Sequence, residues 1–112
     1  MGKPKPASEL LPGTLDLLIL RTLVPGALHG YGIASRLKEV SNDVLQVGES
    51  SLYPALQRLL LNDYVEAEWA ASENNRRARY YRLTPRGKKH LAAERAGFDR
   101  YVTAIHRVLQ LA

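Results

Sequence analysis

No cysteine occurs anywhere in the 112 residues. Disulfides and thiolate metal sites are therefore excluded, and a reducing compartment is consistent with the chain. Long hydrophobic runs are missing too. The longest, Leu15 to Leu20, is interrupted by Asp16 and falls far short of a bilayer span. The opening MGKPKPASE contains no apolar stretch of signal-peptide length, so the expected location is the cytoplasm. An enzyme's equipment is absent as well: there is no nucleophile–base constellation, no glycine-rich phosphate loop and no carboxylate pair in an apolar setting. The three histidines, His29, His90 and His106, are scattered. His90 and Glu94 are four apart, yet surface or capping roles suit these rings better than metal binding, and neither metal nor cofactor is expected.

What is present is a hydrophobic fraction of 46%, that of a folded globular protein. A chain of this length makes one domain that buries roughly 65% of its unfolded surface. The formal charge of +5 favours an anionic partner, nucleic acid or membrane surface.

Residues 1–12 read as a flexible basic arm in which Lys3 and Lys5 offer a weak additional contact. Thr14 is placed to cap a helix running to about Leu23, with Asp16 in its first turn complementing the helix dipole. Leu15, Leu17, Leu18, Ile19, Leu20 and Leu23 cover nearly its whole circumference, so protein must surround it, a partner chain included. Val24-Pro25-Gly26 breaks it. A scaffold helix of about Tyr31 to Val40 follows, with Ile33, Ala34, Leu37 and Val40 on one face.

The third helix is expected to begin at Ser50 or Ser51, a register taken from Pro54, which is tolerated where its missing N–H has no helical partner. Leu52, Leu56 and Leu59 form its packing side. Ser50, Ser51, Tyr53 and Gln57 form a polar side able to reach base edges in a major groove, with Arg58 at the margin. Tyr53 and Tyr31 each also read as half-buried packing residues with a surface hydroxyl, Tyr31 more so. YVEAEWA then alternates Val65, Ala67 and Trp69 against Glu66 and Glu68, a half-buried strand, and RYYRL returns antiparallel with Tyr81 and Leu83 toward the core. In the turn between, Asn74 and Asn75 suit positive φ. From Arg76 to Lys89 the chain carries Arg76, Arg77, Arg79, Arg82, Arg86, Lys88 and Lys89 without one acid. An isolated run of that kind is usually a solvated face; beside a polar helix and a two-strand turn it suits a phosphate backbone, gripped by Arg76, Arg77 and Arg79 from the wing or the minor groove.

Thr84-Pro85 starts the last helix. Leu91, Phe98, Ile105 and Ala112 recur every seven residues, with Tyr101 and Val108 between and Val102 and Leu109 beside them, although Glu94 and Arg95 interrupt the first heptad. Nothing else in so short a chain can cover the far end, so a second copy is the expected partner. The dimer surface is then Leu15, Leu18, Leu91, Phe98, Tyr101, Val102, Ile105, Val108 and Leu109. The fold class is mainly α with a small β-wing: a winged helix-turn-helix over residues 13–84 and a long dimerisation helix over 85–112.

LPGTLDLLIL, LHGYGI, QVGESSLYPALQRL, the strand ending in EW, SENNRRARYYRLTPRG and the single trailing helix together resemble the PadR family of bacterial transcriptional regulators, in its branch with a short C-terminal region. The match spans about residues 9 to 110. The resemblance implies a homodimeric repressor on a short palindromic operator, released by a small, often aromatic, effector. Phe98 and Tyr101 are the candidates to cradle a planar hydrophobic molecule near the dimer axis, although coiled-coil core is the commoner use of such residues. The competing class is a winged-helix protein–protein module without DNA readout, for which acidic or apolar residues on the third helix and a neutral wing would be expected.

Overall fold

The structure, a computed structural model, describes residues 13–111; the basic arm with Lys3 and Lys5, and Ala112, lie outside the described residues. Helix α1 (Thr14–Thr22) opens on Gly13, whose φ of 85° places it in the left-handed region. Thr14 is thus the first helical residue, and Gly13 takes the cap position expected of Thr14. Asp16 stands in the first turn as anticipated. The two-residue strand β1 (Leu28–His29) had no recognisable signature, being too short for a period, and it leads into α2 (Gly30–Val40). Its partner is distant in sequence: Leu28 pairs with Tyr81 and His29 with Tyr80.

Helix α3 (Glu49–Leu61) starts on Gly48, one or two residues earlier than expected. Pro54 is therefore the sixth helical residue, past the turn whose N–H groups go unpaired. It withholds a bond from the carbonyl of the exposed Ser50, which water can reach, and that is why the second turn accepts it. The helix ends in a Schellman closure. Asp63 adopts φ 60°, Tyr64 N–H reaches the Leu59 carbonyl at 2.9 Å and Asp63 N–H reaches Leu60 at 3.0 Å.

Strands β2 (Val65–Ala71) and β3 (Arg77–Leu83) pair antiparallel from Val65↔Leu83 out to Ala71↔Arg77, and β3 lies between β1 and β2. Of the two asparagines in their turn, only Asn75 has positive φ. Helix α4 (Pro85–Leu109) begins as expected: Thr84 Oγ1 accepts the Gly87 N–H at 2.9 Å and proline fills the first position.

One core joins these elements. Ile19, Leu20, Leu23, Ile33, Leu37, Leu52, Ala55, Leu56, Leu59, Val65, Tyr81, Leu83 and Leu91 are buried, and among the described residues no polar or charged one is. Leu15, Leu17 and Leu18 are only partly buried against it, so the protomer alone covers part of the apolar circumference of α1. Two expectations fail. Val40 is exposed, because in the last turn of α2 it borders an open groove shared with the end of α1 instead of entering the core. Leu91, assigned to the dimer surface, is only 8% exposed inside its own chain's core, so its heptad position is filled within one protomer.

Candidate nucleic-acid interface

The sheet has two faces of opposite character. Alternation places Val65, Ala67, Trp69 and Ala71 of β2 on one side, opposite Leu83, Tyr81, Arg79 and Arg77 of β3. The half near α3 is core. Beyond Tyr81 the helices no longer cover it, so the same face continues into the open as Trp69, Arg79 and Arg77. Trp69 is 58% exposed: the period put it on the correct face, but the core ends before reaching it. Arg77 lies over the Trp69 ring at 5.6 Å and Arg79 over Tyr81 at 5.9 Å, so two guanidinium groups are held against aromatic rings along the inner wing. Burial pushes the Tyr81 hydroxyl pKa up, against the pull of Arg79.

The outer face carries the acids. Glu66 accepts two hydrogen bonds from Arg82, at 3.0 and 2.7 Å, and Glu68 lies 3.9 Å from the same guanidinium, whose pKa the Glu66 bond raises. Arg82, counted in the basic run, is therefore neutralised across the strand. Arg86 is also tied, its Nε donating to the Asn62 carbonyl at 2.9 Å while the group lies over Tyr64 at 5.4 Å. The acid-free stretch of sequence thus resolves into a positive inner wing, with Arg76 at its tip, and a compensated outer one.

A cleft of about 690 Å³ separates this inner wing from the start of α2 and α3. Tyr53, Arg76, Arg77 and Arg79 line it together with His29, Tyr31, Trp69 and Glu73. Tyr31, read above as the more structural of the two tyrosines, is 78% exposed; Tyr53 is 45% exposed and rests on Gly30, where a β-carbon would stand 2.6 Å from its hydroxyl. Tyr31 is thus not the packing residue expected of it, while Tyr53 combines packing on Gly30 with an exposed edge in the cleft. Gly30 keeps the floor low enough for the Tyr53 ring to lie across α2.

His29 ties the far wall to the floor. Its Nδ1 accepts the Gly32 N–H at 2.9 Å, capping α2, so the ring hydrogen sits on Nε2 and faces Glu73 Oε1 at 3.3 Å. A hydrogen bond from its own backbone, then one from His29, hold the Glu73 carboxyl below its ordinary pKa. The capping role expected of a histidine is the one His29 plays.

The remaining candidates lie outside the cleft. Ser50 and Gln57 are exposed on α3 and Ser51 is half-buried. Arg58 is drawn back toward α1 by Asp16 at 2.8 Å, an ion pair that no local pattern reveals. Glu49 occupies the first turn of α3, so the helix does carry one acid. On α4, Phe98 and Val102 are half-buried while Tyr101, Ile105, Val108 and Leu109 are exposed, an apolar stripe continuing past the core. Among the described residues no cluster of potential metal ligands occurs, and no helix is long and apolar enough to cross a membrane.

Comparison with known proteins decides the family, since the model of the transcriptional regulator PadR-like family matches residues 19–93. The chain belongs to the PadR-like family of transcriptional regulators. Its architecture resembles a transcriptional regulator from Clostridium thermocellum, with a TM-score of 0.78 and 28% identity over 85% of this chain and 92% of that one. A PadR family transcription regulator from Clostridium difficile gives 0.74 and 26%, covering 87% and 99%. An uncharacterised protein of Lysinibacillus sphaericus is 32% identical over 85 residues, 76% of this chain and 78% of that one. These relatives place α1 to α4 and the wing in a winged-helix fold of regulators rather than enzymes.

Proposed function

We propose that this PadR-like chain is a cytoplasmic, sequence-specific DNA-binding repressor that acts as a homodimer on a palindromic operator. The observation that carries the reading is the one-sidedness of the wing strands: Arg76, Arg77 and Arg79, which make no ion pair among the described residues, line the cleft that α3 shares, while Glu66 and Glu68 lie behind and the cleft's own acid, Glu73, is engaged by His29. On this reading α3 enters a major groove with Ser50, Ser51, Tyr53 and Gln57 toward base edges, and Glu49 adds an acceptor suited to a cytosine amino group. The cleft takes the intervening sugar–phosphate strand, between the wing arginines and Tyr31. Arg58, held by Asp16, contributes little to grip.

Residues 13–84 are then the DNA-binding unit and 85–112 the dimerisation helix, with the first turns of α4 shared by the core. Leu15, Leu18, Phe98, Tyr101, Val102, Ile105, Val108 and Leu109 form the contact between copies, and a planar apolar effector would sit at Phe98 and Tyr101. The test is capture of genomic DNA fragments by the purified protein, followed by affinity measurement on the enriched fragment and on random duplex. Enrichment of one palindromic sequence, bound about a thousandfold or more over random DNA, supports the reading. Equal capture of all fragments, or of none, favours a protein–protein module instead.

A further inference from the structure

Where α3 ends, α4 begins to hold it. Three consecutive carbonyl groups at that corner each accept a hydrogen bond from the start of α4: Asn62 from Arg86 Nε at 2.9 Å, Asp63 from Thr84 Oγ1 at 2.6 Å, and Tyr64 from Thr84 N–H at 3.1 Å. The Tyr64 ring stacks on His90 at 4.0 Å with the planes 7° apart, and Arg86 lies over that ring at 5.4 Å. Gly87 faces the Tyr64 carbonyl so closely that a β-carbon would collide with it. A Schellman closure fixes the corner itself (Tyr64 N–H to Leu59, 2.9 Å). The first two turns of α4 thus engage the cap and the two residues that follow the candidate recognition helix through backbone, ring and cation at once.

We propose that this corner is a rigid joint that sets the spacing of the two DNA half-sites, with Arg86 and His90 as its positioning residues. The inference rests on the reading of α4 as the dimer helix and α3 as the DNA-reading helix. Geometry gives it a scale. The thirteen residues of α3 span about 20 Å from the joint to their N-terminal end. A swing of about 10° at the joint would move that end by about 3.4 Å, the length of one base pair. A dimer that recognises one half-site separation must hold the angle more tightly than this. Neither side chain is part of the hydrophobic core, so the contacts serve orientation rather than burial.

The test uses the full chain with Arg86→Gln and His90→Ala combined, and His90→Phe as the conservative variant that keeps a ring against Tyr64. Because the protein has no cysteine, Ser35→Cys and Arg107→Cys give unique spin-label sites on α2 and α4, and labelled chains are diluted with unlabelled ones. The double variant should keep its melting temperature within a few degrees of wild type while the intrachain distance distribution broadens. On duplexes whose half-site separation is changed one base pair at a time, wild type should lose about tenfold per base pair and the double variant less than about threefold, with equal affinity for an isolated half-site. His90→Phe should restore both the narrow distribution and much of the steepness. An unchanged distribution in the double variant overturns the joint. A broadened distribution with a spacing profile as steep as wild type overturns its role in spacing. If wild type binds no DNA, the DNA reading fails by itself, and the distance distribution still decides whether the joint is rigid.

Discussion

Two glycines in one helix should respond in opposite directions to the same substitution. Gly87 and Gly97 both lie within α4, so replacing either with alanine relieves the helix of glycine's backbone entropy, a gain of about 0.5–1 kcal/mol. At Gly97 nothing opposes the gain, the nearest atom being Arg100 Nη2 at 4.0 Å. At Gly87 the new methyl group meets the Tyr64 carbonyl and stands 3.0 Å from Leu83 Cδ1. Backbone on one side and core on the other must yield, and because the nearer obstacle is a backbone carbonyl the cost lies at the upper end of overpacking, about 2–3 kcal/mol, so the net loss is about 1–2.5 kcal/mol. For a domain of this size 1 kcal/mol is roughly 5 °C in melting temperature. Gly87→Ala should melt about 5–12 °C lower than wild type and Gly97→Ala about 2–5 °C higher. Thermal unfolding by circular dichroism checks this, at one protein concentration because the proposed dimer would make the midpoint concentration-dependent. If Gly87→Ala melts at or above the wild-type temperature, α4 does not press on the Tyr64 carbonyl as described.

Arg76→Ala with Arg77→Ala should weaken operator and random DNA alike, and lower the slope of log K against log salt by up to about 0.9 per lost phosphate contact; a loss confined to the operator would exchange the roles of wing and helix. Gln57→Ala, on the exposed side of α3, should cost about 1–3 kcal/mol on the operator with little change on random duplex, measured by fluorescence anisotropy. Tyr31→Ala removes a ring that is 78% exposed, so melting should be unchanged while DNA affinity falls by about 0.5–1.5 kcal/mol; loss of stability instead would make Tyr31 a packing residue. The Glu73 carboxyl, its pKa lowered by its own backbone and by His29, should titrate below 4.5 in a side-chain NMR experiment. Because the shift is downward, the stabilisation it brings is complete above the unfolded value and disappears as pH falls through the folded one. His29→Asn should keep the α2 cap but let Glu73 titrate higher.

The sequence by itself determined the four helices, the two strands of the wing and the start of α4, because each of these is written in nearest-neighbour chemistry. Alternation set the faces of β2 and β3, Thr84-Pro85 set a helix start, and the Leu52, Leu56 and Leu59 spacing set the packing side of α3. It also brought the basic wing and a polar helix into one hypothesis and carried the family resemblance. What it could not supply was the extent of cover over each face. Val65 and Trp69 share a face with identical periodicity, yet one is core and the other lines a cleft, because α3 shields only the near half of the sheet. Leu91 and Ile105 fill the same heptad place two repeats apart, yet one is buried within the protomer and the other is exposed.

Charge followed the same rule. Between Arg76 and Lys89 the chain holds no acid, but Arg82 meets Glu66 across the strand, and Arg58 meets Asp16 at a separation of 42 residues. Strand β1 exists only because β3 offers it an edge, and Tyr31 joins the cleft only because β1 aims the start of α2 there. Local patterns fix which way a side chain points; burial and ion pairing depend on what lies opposite, and in this chain what lies opposite is often dozens of residues away. Only the folded chain decides which arginines remain free to meet a phosphate.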